Sequence, residues 1–174
     1  MPPKNSVGSI GRTALAIGKR PTDASTAELL SKALVGMEPW LRLRMTQPVL
    51  AELLKHGYNK SSECWCLTVN DEPAGAQVTW NEWLRGPYLA HLSVIPEFQR
   101  KGLGQWALDD WQNRTWNSGQ RNLWLCVSSF NEPAKTLYAK NGFETVGELK
   151  DLLVDGLDEI LMRKRLTASA VKSA

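Results

Sequence analysis

The chain has 174 residues and a mass of 19.4 kDa, with 43% of its residues hydrophobic, which suffices for one well-buried core and falls short of two independent domains. Its 21 basic and 18 acidic residues leave a net charge of +3, too even a balance for a protein that wraps nucleic acid. No apolar run approaches the roughly 20 residues of a membrane span, and no signal-peptide core opens the chain, so a cytoplasmic protein with neither nucleic-acid nor membrane partners is expected.

Residues 1–12 are rich in Pro, Gly, Ser and charge and lack periodicity, so they read as a mobile leader; 167–174 read as a mobile tail, and one domain over 13–166 lies between them. A first strand is predicted over 13–19. After Pro21, Ser25 and Glu28 stand at capping-box spacing ahead of a helical stripe of Ala27, Leu29, Leu30, Ala33 and Leu34. Met37-Glu38-Pro39-Trp40 breaks that helix, and a second begins near Thr46, with Pro48 in its first turn and Gly57 as terminator. The runs 63–69 and 74–80 are β-rich and separated by Asn70-Asp71-Glu72-Pro73, which is turn chemistry and predicts a hairpin. Cys64 and Cys66 fit period-two positions of the first run; with Cys126 they make three cysteines, which cannot all pair, so reduced buried thiols are expected.

A further strand over 88–94 is stopped by Pro96. From 103 to 117, Leu103, Ala107, Leu108 and Trp111 share a helical face that Asn117-Ser118-Gly119 ends. The run 123–127 is almost wholly apolar, as expected of a strand covered on both faces. Asn131 caps a helix through Lys140 that turns Ala134, Leu137 and Tyr138 inward and ends at Gly142. Strands over 143–148 and 158–165 close the chain around Asp155-Gly156. The sum is an α+β fold, a mixed sheet of about seven strands flanked by about four helices.

The chemistry concentrates after the 88–94 strand. Gly102 and Gly104 open a helix directly behind a short loop, which places unpaired backbone N–H groups at the positive helix end. The glycines let an anion come close, and Arg100 and Lys101 add charge suited to a pyrophosphate. Two glycines at a helix start also serve tight strand-to-helix packing, so the pair alone does not prove a site. The turn lacks the third glycine of a dinucleotide fingerprint, position 107 being Ala, and lacks the Gly-Lys-Ser/Thr of a P-loop.

Val94-Ile95-Pro96-Glu97-Phe98-Gln99-Arg100-Lys101-Gly102-Leu103-Gly104 resembles the acetyl-coenzyme A signature of the GNAT superfamily of N-acetyltransferases, whose core is Gln/Arg-x-x-Gly-x-Gly/Ala after a strand ending in Val and Pro. Asn131-x-x-Ala134-x-x-Leu137-Tyr138-x-Lys140-x-Gly142-Phe143 resembles the superfamily's other block, and the element order agrees over residues 13–166. Met37-Glu38-Pro39-Trp40 and Val154-Asp155-Gly156 resemble a set of bacterial members. The resemblance implies a GNAT-like, mostly antiparallel sheet, with acetyl-coenzyme A as acetyl donor.

Carried over residue by residue, the resemblance implies that the amides from Gln99 through Arg100, Lys101, Gly102 and Leu103 to Gly104 hold the pyrophosphate. It implies that Leu92, Ser93 and Val94 pair with the pantetheine arm through their backbone, that Asn131 contacts the cofactor besides capping its helix, and that Tyr138 protonates the departing thiolate. A phenol with a pKa near 10 is a sensible acid for that step. Many relatives carry a general-base Glu six residues before the strand-ending Val; here that position is Tyr88, a poor base at neutral pH. Strand alternation sets His91 on the face opposite Tyr88, Ala90 and Leu92. Glu38 and Glu82 are further base candidates, and Trp40 and Trp83 lie on loops that in this fold flank the acceptor cleft, where aromatic walls suit a cation. Cys126, deep in an apolar strand, lacks the setting of a nucleophile, and no metal ligands are assigned.

The function implied is direct acetyl transfer to a primary amine, a small molecule being the favoured partner. The alternatives are a peptide or protein acceptor, which calls for an open groove instead of a pocket closed by the Glu38 and Trp83 loops, and an acetyl-coenzyme A-binding sensor, motivated by the missing acidic base. Dimers are common in the superfamily, which puts a homodimer among the assemblies implied.

Overall fold

A computed structural model of the chain describes residues 15–167. The predicted leader over 1–12, the start of the predicted first strand at 13–14 and positions 168–174 of the predicted tail lie outside them. In chain order the elements are β1 (Ile17–Pro21), α1 (Ala24–Leu34), α2 (Gln47–His56), β2 (Ser62–Val69), β3 (Glu72–Trp83), β4 (Gly86–Val94), a single 3₁₀ turn (Pro96–Phe98), α3 (Leu103–Asn117), β5 (Asn122–Ser128), α4 (Glu132–Lys140), β6 (Glu144–Val154) and β7 (Leu157–Arg165). The strands form one seven-stranded sheet in the order β1-β2-β3-β4-β5-β7-β6, antiparallel throughout except between β4 and β5. This is the α+β architecture expected from the sequence. No helix among the described residues is long and apolar enough to cross a membrane.

Local chemistry explains where the elements begin and end. Asp23, not Ser25, caps α1: its carboxylate accepts from the Thr26 amide at 2.8 Å, while the Ser25 hydroxyl, already inside the first turn, donates to Asp23 at 2.7 Å. Asn70 and Asp71, both left-handed at φ 51° and 67°, make the β2–β3 turn by themselves. Pro73 belongs to β3, opposite Thr68 where the register shifts, and the bulge tolerates its missing N–H. β3 runs on to Trp83, so this indole ends a strand instead of lying on a loop as predicted, and the β3–β4 turn is left to Leu84 and a left-handed Arg85.

Two helical layers cover the sheet. α1 and α2 set Leu30, Leu34, Leu50 and Leu54, all fully buried, against Cys66, Ala76 and Val78 on one face. α3 and α4 cover the other with Leu108, Trp111 and Tyr138 against Leu89, Leu123, Leu125 and Val127. Each such side chain contributes roughly 1.5–3 kcal/mol of burial. β5 is buried all along this second face, whereas on its other side Trp124 and Cys126 are only half-buried and Ser128 is buried. The two-sided burial read from its apolar run therefore holds at Ser128 and is corrected at Trp124 and Cys126, because α1 and α2 pack against β2 and β3.

The parallel pair is short. β4 and β5 match only at Tyr88 with Trp124 and Leu89 with Leu125. Immediately beyond, β4 bulges: Val78 faces His91 and Thr79 faces Leu89, which leaves Ala90 as the extra residue. The bulge bends β4 away, so its stretch 90–94 and the 126–128 end of β5 have no partner in each other. It also reverses the side-chain alternation. His91 lies tilted against Trp40 at 5.1 Å and hydrogen-bonds Ser93 at 2.9 Å, on the face that Tyr88 and Ala90 occupy, while Leu92 crosses to pack near Leu103 and Ala107. The predicted opposition of His91 to Tyr88 and Ala90 is thus corrected by one inserted residue.

At the start of the pair the strands approach closely: a Cβ on Gly86 would stand 2.1 Å from the Asn122 carbonyl oxygen. Gly86→Ala is expected to destabilise the protein by about 1–3 kcal/mol in chemical denaturation, whereas Gly147→Ala, whose Cβ meets nothing within 4 Å, is expected to stay within about 0.5 kcal/mol. Burial holds the His91 imidazole down to about 4 from its ordinary 6.5. The unfolded chain then binds the extra proton between those values, so the stability from neutral His91 is complete above pH 6.5 and lost as the pH falls towards 4. The difference is about 3 kcal/mol. Denaturation curves across this window are expected to show an acid loss that is smaller in His91→Gln by that amount.

Candidate active site

Pro96 ends β4 and starts the 3₁₀ turn. Gln99 folds back on that turn: its amide donates to the Pro96 carbonyl at 3.2 Å and its side chain to the Val94 carbonyl at 3.0 Å. The chain then turns through left-handed Arg100 and Gly102, at φ 58° and 86°, and the first α3 hydrogen bond runs from the Trp106 amide to the Gly102 carbonyl at 2.9 Å. Among the described residues no group accepts from the six amides of Arg100 through Gln105. The free set is displaced by one position from the predicted Gln99–Gly104 range, because the Gln99 N–H is already engaged and Gln105 lies within the first helical turn.

Six free donors at a helix N-terminus form a nest for an anion. The packing explanation of the two glycines does not apply: a Cβ on Gly102 would meet nothing within 4 Å, and one on Gly104 only Leu137 at an ordinary 3.7 Å. Gly102 serves its positive φ, and Gly104 leaves the front of the nest open. Leu103 is 1% exposed and fastens the helix start into the core. Lys101 lies 5.1 Å from the Phe98 ring, with Arg100 exposed beside it.

From the nest the gap between β4 and β5 leads inward, edged by Leu92, Ser93 and Val94 on one side and by 126–128 on the other. Such edges suit an extended chain bearing amides, which can add to them as a strand does. Asn131 accepts from the Ala134 amide at 3.3 Å as the cap of α4. One turn further, Tyr138 is 7% exposed, set edge-on to Phe143 at 5.9 Å. It shares a cluster with Leu89, Leu125 and Val127, residues at which the strands part. Its hydroxyl has no hydrogen-bond partner among the described residues, and burial pushes its pKa above the ordinary phenol value, so the group keeps its proton. Nest, edges and phenol fit the pyrophosphate, pantetheine and thioester of acetyl-coenzyme A.

On the α1–α2 side the predicted acceptor residues separate. Trp40 lies over His91 at the open part of β4. Glu38 is half-exposed and 3.4 Å from Arg42, whose guanidinium sits 4.3 Å over the Phe130 ring and so joins the α1–α2 segment to the β5–α4 loop. Tyr88 stacks on Trp83 at 4.8 Å and hydrogen-bonds Cys126; burial raises both the phenol and the thiol, so both are neutral at pH 7. Glu82 is not brought to this gap. It lines a depression with Gly119–Asn122 at the far end of α3, a helix of 15 residues, about 22 Å long.

One group was missed in the sequence. Glu159 of β7 is 4% exposed, the one acid among the buried polar residues described, and accepts from the Ser128 hydroxyl at 2.6 Å. A glutamate beside a hairpin turn reads as solvated, and nothing local marks it as buried. Its register opposite Ser128, set by the long β7–β5 pairing, decides that.

The Acetyltransferase (GNAT) family profile matches residues 26–143, which contain both the nest and Tyr138. No curated protein matches the chain. Among solved structures, the ribosomal-protein-S18-alanine N-acetyltransferase from Escherichia coli aligns with a TM-score of 0.68 at 21% identity, over 91% of this chain and 96% of that one. NAA60 of Arabidopsis thaliana, in complex with a bisubstrate analogue, aligns at 0.66 and 17%, over 87% and 100%. Nourseothricin acetyltransferase aligns at 0.57 and 24%, over 62% and 67%. The family match covers more than half of the residues, and with the nest at its place in the fold it establishes that this chain belongs to the GNAT family as an acetyl-coenzyme A-dependent N-acetyltransferase.

Proposed function

We propose that the protein acetylates the primary amine of a small molecule by direct attack, with Tyr138 as the acid. The observation that carries this reading is the Tyr138 hydroxyl, proton-bearing and without a partner at the end of a buried side chain where β4 and β5 diverge. Acetyl-coenzyme A supplies the acetyl group as a thioester. The amides of Arg100 through Gln105, with Arg100 and Lys101, hold its pyrophosphate, the edge at Leu92, Ser93 and Val94 takes its amide arm, and Asn131 adds a contact from the head of α4. The amine nitrogen forms the new C–N bond as the C–S bond breaks. Tyr138 gives its proton to the sulfur, the nitrogen sheds one, and the phenol is restored from solvent, so amine and thioester become amide and thiol. Edge amides of β4 are the donors available to the carbonyl oxygen.

No covalent intermediate on the protein is required, and the raised Cys126 thiol, hydrogen-bonded to Tyr88, does not supply a thiolate. The small-molecule acceptor is supported by the bridge from Arg42 to Phe130 and by Trp40 lying on His91, which narrow the face where a peptide needs a continuous groove. Trp40, Trp83 and Tyr88 add aromatic surface for a cationic amine.

Wild-type protein with acetyl-coenzyme A and an amine panel is expected to release free thiol with no acetyl adduct on the intact protein mass. Tyr138→Phe is expected to lower kcat about 100-fold with little change in acetyl-coenzyme A affinity; an unchanged kcat would remove Tyr138 from the mechanism. Peptides turning over faster than every small amine would reassign the acceptor, and no thiol release with any amine, peptide or polyamine would favour the sensor. Gly104→Ala is expected to fold normally and to bind acetyl-coenzyme A about tenfold more weakly by calorimetry, a change of about 1.4 kcal/mol.

A further inference from the structure

Glu159 has no role in the chemistry above, yet its surroundings are those of a functional acid. β7 pairs with β5 in unbroken register, Ser128 against Glu159, Cys126 against Leu161 and Trp124 against Arg163. Ile160 and Met162 point into the α3–α4 core, so Glu159 stands on the other face, with Cys126, Ser128, Tyr88 and His91. On that face α1 and α2 pack against β2 and β3, and the segment between them reaches Phe130, two residues past Ser128, through Arg42. Buried carboxylates are ordinarily paired with a cation. Glu159 has none among the described residues; its single partner is the Ser128 hydroxyl at 2.6 Å. The neighbouring charges are committed elsewhere. Arg163, four residues along the same face, donates to the Asn122 side chain at 3.0 and 2.6 Å, and Arg42 is held by Glu38 and Phe130.

We infer that Glu159 is the general base of this acetyltransferase, receiving the acceptor's ammonium on that face of β5 and β7 and removing its proton before attack. The inference rests on the transferase reading proposed above. Glu159 fills the place left by Tyr88, where many relatives carry an acid, from a different strand. The step balances simply: the carboxylate takes one proton from the ammonium, the free amine attacks, and the carboxyl returns its proton to solvent. Burial raises the Glu159 carboxyl above its ordinary range while the Ser128 bond opposes the rise, which moves a carboxylate towards useful basicity. The titratable groups on its face are the Cys126 thiol from β5 and, from β4, the Tyr88 phenol and the His91 imidazole, all moved towards the neutral form by burial. Its β6 neighbour in register, Leu149, does not titrate.

The test measures kcat/KM for the best amine of the panel against pH, together with acetyl-coenzyme A affinity, in the wild type and in Glu159→Gln. The expected result is a loss of about 100-fold or more in kcat/KM, disappearance of the wild type's acidic limb, and unchanged affinity for acetyl-coenzyme A. Ser128→Ala, which leaves the carboxylate in place, is expected to move that limb to higher pH, and it keeps the test decisive should Glu159→Gln fold poorly. Activity of Glu159→Gln within about threefold of wild type, an unmoved limb in Ser128→Ala, or weakened acetyl-coenzyme A binding as the main defect would overturn the assignment. Turnover by the wild type with a failed Glu159 test would sink this inference alone; no turnover by the wild type with any amine would sink the transferase reading along with it.

Discussion

β4 and β5 are hydrogen-bonded neighbours for two residues and then separate, and this separation organises the rest of the molecule. At the closed end the strands are pinned: Gly86 lets the Asn122 carbonyl approach where no side chain would fit, the Asn122 amide reaches the Arg85 carbonyl at 3.1 Å, and the Trp124 indole reaches the Leu84 carbonyl at 3.1 Å. At the open end the Ala90 bulge turns β4 away. Unpaired strand edges inside a sheet are unfavourable unless water or a ligand completes them, so the opening persists only because two helical layers and five further strands hold the frame on either side.

The same frame governs charge. Burial moves each buried or half-buried titratable group around the gap towards its neutral form: Tyr138, Tyr88 and Cys126 upward and His91 downward. Glu159 is raised likewise by burial, against the Ser128 bond, while the exposed Arg100 and Lys101 stand beside the free amides and Arg42 pairs with Glu38 on the α1–α2 side. On the proposed reading, an anionic donor and a cationic acceptor are directed to opposite ends of one opening.

On the proposed reading, acceptor choice is made on the α1–α2 side. Trp40 depends on His91 for its position, and His91 is available to it only because the bulge turned that side chain over. Arg42 ties the same segment to Phe130. These contacts link residues some 50 to 90 positions apart in sequence, so a change in one loop redefines the space without touching the donor nest.

Much of this protein was legible in its residues. The α3 boundaries, the α4 cap at Asn131, the Gly102 and Gly104 turn and the inward Tyr138 are local features, each dictated by short-range propensity, capping or glycine conformation, and these carried the fold and the donor chemistry. What local pattern could not carry was register. The bulge at Ala90 reversed the face of His91, the extension of β3 took Trp83 off its loop and left Glu82 at the far end of α3, and uneven burial of β5 left Cys126 half-buried. Glu159 became a buried, cation-free acid only through pairing with Ser128. The elements and the helix-start turn could be read from the residues alone, because they depend on neighbours a few positions away; which side chains share a sheet face came from strand pairing, because a single inserted residue in a strand inverts every side chain beyond it.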